Sequence, residues 1–132
     1  MMEIDKLAWI YIKDKKILST RSKGKDKFYI PGGKREVGED DLQALIREIK
    51  EELTVDLIPD SIEYLGTFKA QAHGHKEGIL VKMTCYQGQY NGELNPDSEI
   101  EEVVWLQYRD KERSSIVDQQ IFDWLKQAGM IE

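Results

Sequence analysis

The alternation of apolar and polar positions predicts strands, a helix, more strands and a second helix. Between Lys6 and Lys13 a mostly apolar run holds Leu7, Trp9, Ile10, Tyr11 and Ile12, all good strand formers. Asp14-Lys15-Lys16 reads as a turn, and Ile17 to Thr20 as a returning strand. Ser22 to Lys27 is polar and basic and reads as a loop. Phe28-Tyr29-Ile30 is a short apolar stretch stopped by Pro31-Gly32-Gly33. Asp40 is placed to N-cap a helix, with Gln43 three residues on to complete a capping box. Leu42, Leu45, Ile46, Ile49 and Leu53 then recur at helical spacing and give one apolar stripe. Pro59-Asp60 marks the loop that follows.

The second half predicts strands over Ile62 to Ala72, Gly78 to Tyr90 and Val103 to Leu106, with part of Asn91 to Leu94 as a further short one. His73-Gly74-His75 falls at the turn between the first two. The last helix starts near Ser114 or Ser115, with Val117, Ile121, Trp124, Leu125 and Ala128 on its apolar face. Gly129 suits the position just past its end. This order predicts an α/β chain with a mixed β-sheet sandwiched between α-helices.

Composition narrows the picture. A chain of 132 residues suits one domain, residues 1–132. With 40% hydrophobic and 33% charged residues it reads as globular, and we found no repeat or low-complexity tract. The net charge of −6 argues against a duplex nucleic-acid binder held by phosphate contacts, but not against a nucleotide held through metal ions. Cys85 is alone and cannot form an internal disulfide. No apolar stretch approaches the roughly 18–20 residues of a membrane span. The N-terminal residues lack a signal-peptide apolar region, so a cytoplasmic location is the default expectation.

Three carboxylates on the first helix require an explanation. Glu48 and Glu51 are three residues apart, and Glu48 and Glu52 four, so all three project from neighbouring positions. Taken alone they read as a solvated acidic face tempered by Arg47, which can pair with Glu51. The Pro31-Gly32-Gly33 turn upstream changes that reading. Glycines there let backbone groups approach a ligand or metal closely. Carboxylates and phosphate oxygens together suit a hard cation such as Mg²⁺.

This segment resembles the Nudix box, G-x5-E-x7-R-E-U-x-E-E-x-G-U, where U is a bulky aliphatic residue. The chain has Gly33, five residues, Glu39, seven residues, then Arg47-Glu48-Ile49-Lys50-Glu51-Glu52-Leu53-Thr54-Val55. Every fixed position matches except Thr54, which stands where the family usually has glycine. Thr54 fits if the chain leaves the helix without a positive φ. The box spans about a sixth of the chain. The Pro31-Gly32-Gly33-Lys34 lead-in, the preceding strands and Trp105 also resemble MutT-type members, and carry the resemblance over the whole domain.

The resemblance implies the Nudix fold and a Mg²⁺-dependent hydrolase, with Mn²⁺ the alternative metal. It implies that Glu48, Glu51, Glu52 and the Gly33 carbonyl bind metal. Arg47 would orient a carboxylate, and Glu39 would support the loop–helix junction. Ile49 and Val55 become core positions. The general base is expected to be Glu99 or Glu48, with Asp97, Glu101 and Glu102 as near competitors. Substrate contacts are expected from Gly32, Arg21 and Lys34; for Arg21 the alternative is an exposed rim position.

His73 and His75 resemble a metal pair but lack a third nitrogen or sulfur ligand nearby in sequence, so a loop near substrate or a solvated turn fits them better. Phe28, Tyr29, Phe68 and Tyr86 are core candidates that could otherwise stack a base, and Trp9, Trp105 and Trp124 read as core. The expected partner is a small nucleotide. A nucleoside or deoxynucleoside triphosphate comes first, with ADP-ribose, a dinucleotide polyphosphate or a nucleotide sugar as alternatives. A non-catalytic nucleotide sensor is the rival class. The sequence is compatible with a monomer or a homodimer.

Overall fold

Strand β1 (Glu3–Ile10) ends in four consecutive buried residues because the sheet is covered on both faces. Its side chains alternate between two cores. Leu7 and Trp9 pack in one with Leu45, Ile49 and Leu53; Ala8 and Ile10 pack in the other with Ile121, Phe122 and Leu125. The computed structural model describes residues 3–72 and 74–132. A short β2 (Ile12–Lys13), β3 (Lys16–Ser22) and β4 (Gly32–Gly33) lead to helix α1 (Asp41–Leu53). Then come β5 (Asp56–Leu57), β6 (Glu63–Gln71), β7 (Leu80–Gln87), β8 (Tyr90–Asn91), β9 (Ile100–Leu106) and helix α2 (Ile116–Gln127).

The principal sheet is mixed, in the order β4-β1-β7-β6. β1 runs parallel to β7 and antiparallel to β4, while β6 and β7 form a hairpin. A second sheet, β2-β3-β9, is antiparallel, and β5 pairs with β8. The helices lie on opposite sides, α1 over the Leu7/Trp9 core and α2 over the Ala8/Ile10 core. This is the expected mixed sheet between helices.

Helix α1 starts as its sequence predicts. Gln43 N–H donates to Asp40 Oδ1 at 2.8 Å, and Asp40 N–H donates to Gln43 Oε1 at 3.0 Å. Its end differs from expectation. Thr54 sits in the left-handed region at φ 61°, not in an exit with negative φ. Its N–H still donates to Lys50 O at 3.0 Å, which closes the last turn. The bend delivers Val55 fully into the core. Two further backbone bonds then cap the helix: Asn95 N–H donates to Leu53 O, and Asp97 N–H donates to Glu52 O.

Other boundaries shift modestly. β9 begins at Ile100, ahead of the expected Val103, because Glu101 and Glu102 pair with Arg21 on β3. The short strand before it is Tyr90–Asn91, at the start of the predicted window. Trp124, expected in the core, is 37% exposed and edges onto Phe68 at 6.0 Å. Ala128 is also exposed, at the helix end. Among the described residues no helix is long and apolar enough to cross a membrane.

Candidate active site

A cavity of about 430 Å³ opens where β1, the β4 turn, the end of α1 and the start of α2 meet. Glu48, Glu52 and Glu99 line it together with Gly32, Gly33 and Lys34. Away from these carboxylates the wall is made by Ile30, Ala72, Val81, Met83 and Val117, with Tyr29 and Ser115 as polar members.

The glycine turn is seated on α1. The Gly32 N–H donates to Glu52 Oε1 at 3.2 Å. Gly32 has φ 152°, and a Cβ there would fall 1.9 Å from the Leu7 backbone oxygen. Gly33 is constrained differently, since a Cβ would fall 2.3 Å from Glu48 Oε2. The second glycine therefore makes room for a carboxylate.

Arg47 organises the acidic cluster from behind. Its guanidinium grips Glu39 bidentately, at 2.7 and 2.9 Å, and donates to Glu48 Oε1 at 3.0 Å and Glu51 Oε1 at 3.2 Å. A further bond at 3.0 Å to the Lys34 carbonyl ties the turn to the helix. The two Arg47 bonds are the main reason that the Glu39 carboxyl titrates low, at about 2. Neither Arg47 nor Glu51 lines the cavity, and Glu51 is half-exposed.

Glu48 and Glu52 titrate above the ordinary carboxyl range. Burial is the chief cause for both, opposed at Glu48 by Arg47 and at Glu52 by the Gly32 amide. Glu52 is pushed up to about 8, with Glu48 and Glu99 adding like-charge repulsion. Among the described residues no three carboxylate or imidazole side chains already stand as a metal ligand set. Yet two carboxylates short of water, a third facing the same cavity, and a glycine where a Cβ would collide are what a hard divalent cation relieves. The donor set fits such an ion.

Glu99 is delivered by backbone bonds on both sides. Asp97 N–H fastens the loop before it to α1, and the Glu99 carbonyl accepts from Lys23 N–H at 2.8 Å. Its neighbours are less well placed. Asp97, Glu101 and Glu102 are not cavity residues, and the last two are engaged by Arg21. Arg21 itself was expected to reach substrate. It is held instead by Glu101 at 2.8 Å, Glu102 at 3.2 Å and the Lys25 carbonyl, outside the cavity lining. Opposite charges across the β3–β9 ladder consume it.

The β6–β7 turn forms part of the rim. Gln71 ties it, donating to the Ala72, His75 and Lys76 carbonyls and accepting from Gly78 N–H. His75 lines the cavity; His73, read with it as a metal pair, lies outside the described residues. Of the aromatic residues, Tyr29 lines the cavity, Phe28 is buried in the core, and Phe68 packs against it. Tyr86 lies on the other face and donates to Asp41 Oδ2 at 2.7 Å.

Several residues at this site had not been expected there: Lys6, Lys25, Thr20, Ser22, Ser115 and, beneath it, Asp118. Asp118 is fully buried, accepts from Ile30 N–H at 3.0 Å, and leaves Oδ1 without a partner. Burial raises its pKa to about 7. Its position was detectable. Asp118, Ile121 and Leu125 share one helix face, so an acid lies in the apolar stripe.

The NUDIX domain family model matches residues 6–125. No curated protein matches the chain. Among solved structures it resembles the ORF135 protein of E. coli, with TM-score 0.74 and 24% identity over 97% of this chain and 94% of that one. It also resembles a MutT NUDIX hydrolase from Burkholderia pseudomallei (TM-score 0.74, 20% identity, 92% and 96% covered). A third is the MutT protein from Methanosarcina mazei Go1 (TM-score 0.77, 16% identity, 97% and 96% covered). At these identities the structural likeness concerns the fold.

Proposed function

Because the chain belongs to the NUDIX family and is a hydrolase, we propose that it cleaves a nucleoside or deoxynucleoside triphosphate into nucleoside monophosphate and pyrophosphate. One observation carries the reading. The cavity has carboxylates at one end, a mostly apolar wall at the other, and a volume of about 430 Å³ that suits one nucleotide.

Glu48 and Glu52 would hold a divalent cation with the Gly33 carbonyl, and Glu51 would join by leaving Arg47. Mg²⁺ is the metal we assign, with Mn²⁺ the alternative. When bound, the cation supplies charge neutralisation for the anhydride oxygens. Lys34, at the cavity wall beside Gly33, binds a phosphate oxygen. Glu99 takes the proton from the attacking water. Its carboxylate faces the cavity with no hydrogen-bond partner among the described residues, whereas Glu48 is shared with Arg47. The water oxygen forms a bond to phosphorus, the bridging P–O bond breaks in line, and its electron pair leaves with the departing phosphate. Arg47 keeps the carboxylates aimed and the turn closed.

The test is phosphate or pyrophosphate release, with added phosphatase where products need unmasking, from canonical and oxidised triphosphates, ADP-ribose, diadenosine polyphosphates and nucleotide sugars, with and without Mg²⁺. Turnover that needs Mg²⁺ and favours triphosphates is the expected result. Preference for one of the other classes would replace the substrate assignment. Silence across the panel from folded, metal-loaded protein would move the chain to the sensor class or to a substrate outside these classes.

A further inference from the structure

Three lysines line the cavity: Lys6, Lys25 and Lys34. Lys25 and Lys34 are exposed, and Lys6 alone is half-buried. It sits on β1 next to Leu7, the residue that pairs with Gly33, so its strand position borders the glycine turn. Strand alternation puts it in phase with Ile4, Ala8 and Ile10, on the face covered by α2. Its ammonium lies within electrostatic reach of both Glu52 and Asp118. Among the described residues it makes no hydrogen bond and no ion pair with either. A half-buried cation without a hydrogen-bonded partner among the described residues thus lines the cavity on β1, between the glycine turn, paired through Leu7, and Met83, its cross-strand partner on β7.

We propose that Lys6 is a substrate-binding residue that holds the phosphate nearest the sugar. The assignment rests on the nucleotide reading above. A nucleotide with its anhydride at Glu48, Glu52 and Glu99 and its nucleoside against Val81, Met83 and Val117 must pass Lys6. The first anionic group met on leaving the nucleoside is the α-phosphate. An ammonium donating to a phosphate oxygen at a partly dry site makes a charge-assisted hydrogen bond stronger than a neutral one. Lys6 remains useful after cleavage, because that phosphate stays with the monophosphate product. It also gives the cavity a grip on the nucleotide that is independent of the divalent ion.

The experiment titrates the full-length protein in Mg²⁺ with the common nucleoside 5′-monophosphates and with their parent nucleosides. Wild type is compared with Lys6→Met and Lys6→Arg, and Lys6→Gln replaces Lys6→Met should the latter fail to fold. Lys6→Met is expected to weaken monophosphate binding about tenfold or more. Nucleoside binding and Mg²⁺ affinity should stay unchanged, and Lys6→Arg should keep most of the monophosphate affinity. In turnover, KM for triphosphate rises more than kcat falls. Equal weakening of nucleoside and monophosphate would overturn the assignment, since Lys6 would then touch the base or sugar. Unchanged monophosphate binding would overturn it too. Lys6-dependent monophosphate binding without triphosphate turnover would leave Lys6 assigned and remove the proposed reaction alone.

Discussion

The carboxylate of Glu52 accepts the backbone N–H of Gly32 at 3.2 Å, so the most buried glutamate of α1 and the glycine turn hold each other in place. Glu52→Gln keeps an oxygen that can accept this bond and removes the capacity to become the carboxylate that a cation needs. We expect a folded protein whose Mg²⁺ affinity falls about 10–100-fold and whose turnover falls with it. Calorimetric metal titration beside kinetics checks this; wild-type metal affinity would remove Glu52 from the ligand set.

Glu99→Gln should act on the chemical step. A lost general base costs about 10²–10⁴-fold in rate, here in kcat with KM little changed. Glu101→Gln, with its partner Arg21 outside the cavity, should leave kcat close to wild type. If Glu99→Gln kept full kcat, the base would be Glu48.

The two glycines should fail differently. Gly33→Ala drives a methyl against the Glu48 carboxylate, the far end of a flexible side chain, so the protein folds while activity drops about tenfold or more. Gly32→Ala drives a methyl into the Leu7 backbone and should lower the melting temperature sharply. Thermal melts and kinetics on both variants separate the two effects. Similar melting losses in both would contradict the assignment.

Thr54→Gly should stabilise the fold. A β-branched residue at φ 61° carries about 1–2 kcal/mol of backbone strain that glycine does not. Losing the Thr54 hydroxyl bond to the Leu53 carbonyl offsets part of that gain. The net expectation is a gain of about 1 kcal/mol, read as a higher denaturant midpoint at unchanged slope.

Asp118 links stability to pH. Its carboxyl titrates at about 7 when folded, against an ordinary value of 3.8. Between those values the folded protein holds a proton that the unfolded chain has released. Stability therefore falls as pH rises through this window, and the loss is complete above about pH 7. Asp118→Asn removes that slope, so its stability should decline less than wild type between pH 5 and pH 8. Parallel denaturation profiles would show that Asp118 is not protonated in the fold.

What could be read from the sequence divides along physical lines. Glu48, Glu51, Glu52 and Arg47 lie on one helix, where periodicity places side chains relative to one another, and Gly33 and Glu39 precede it at fixed spacing. The cavity wall is different. Lys6, Tyr29, Ala72, Val81, Met83 and Val117 meet only through strand pairing and helix packing, and no local pattern joins them. Arg21 shows the converse: a cation in the right region is paired with Glu101 and Glu102, 80 and 81 residues away, which no local pattern reveals. Thr54 shows a third. Its left-handed turn follows from the need to bury Val55 and from the bonds that Asn95 and Asp97 donate, not from its own preference.

The division of the interior into two cores on opposite sides of the sheet has a consequence for how the protein can change. The helix bearing the acidic cluster is anchored by Leu45, Ile49 and Leu53 on one side. Most of the cavity's apolar wall, including Ile30, Ala72, Val81, Met83 and Val117, belongs to the other. Substitutions that reshape this wall repack one interior and leave the other undisturbed. If the apolar wall receives the nucleoside as proposed, a lineage, or an engineer, can exchange the moiety accepted there while the acidic cluster keeps its alignment. On the proposed reading, selectivity and reactivity are then separable between the two cores.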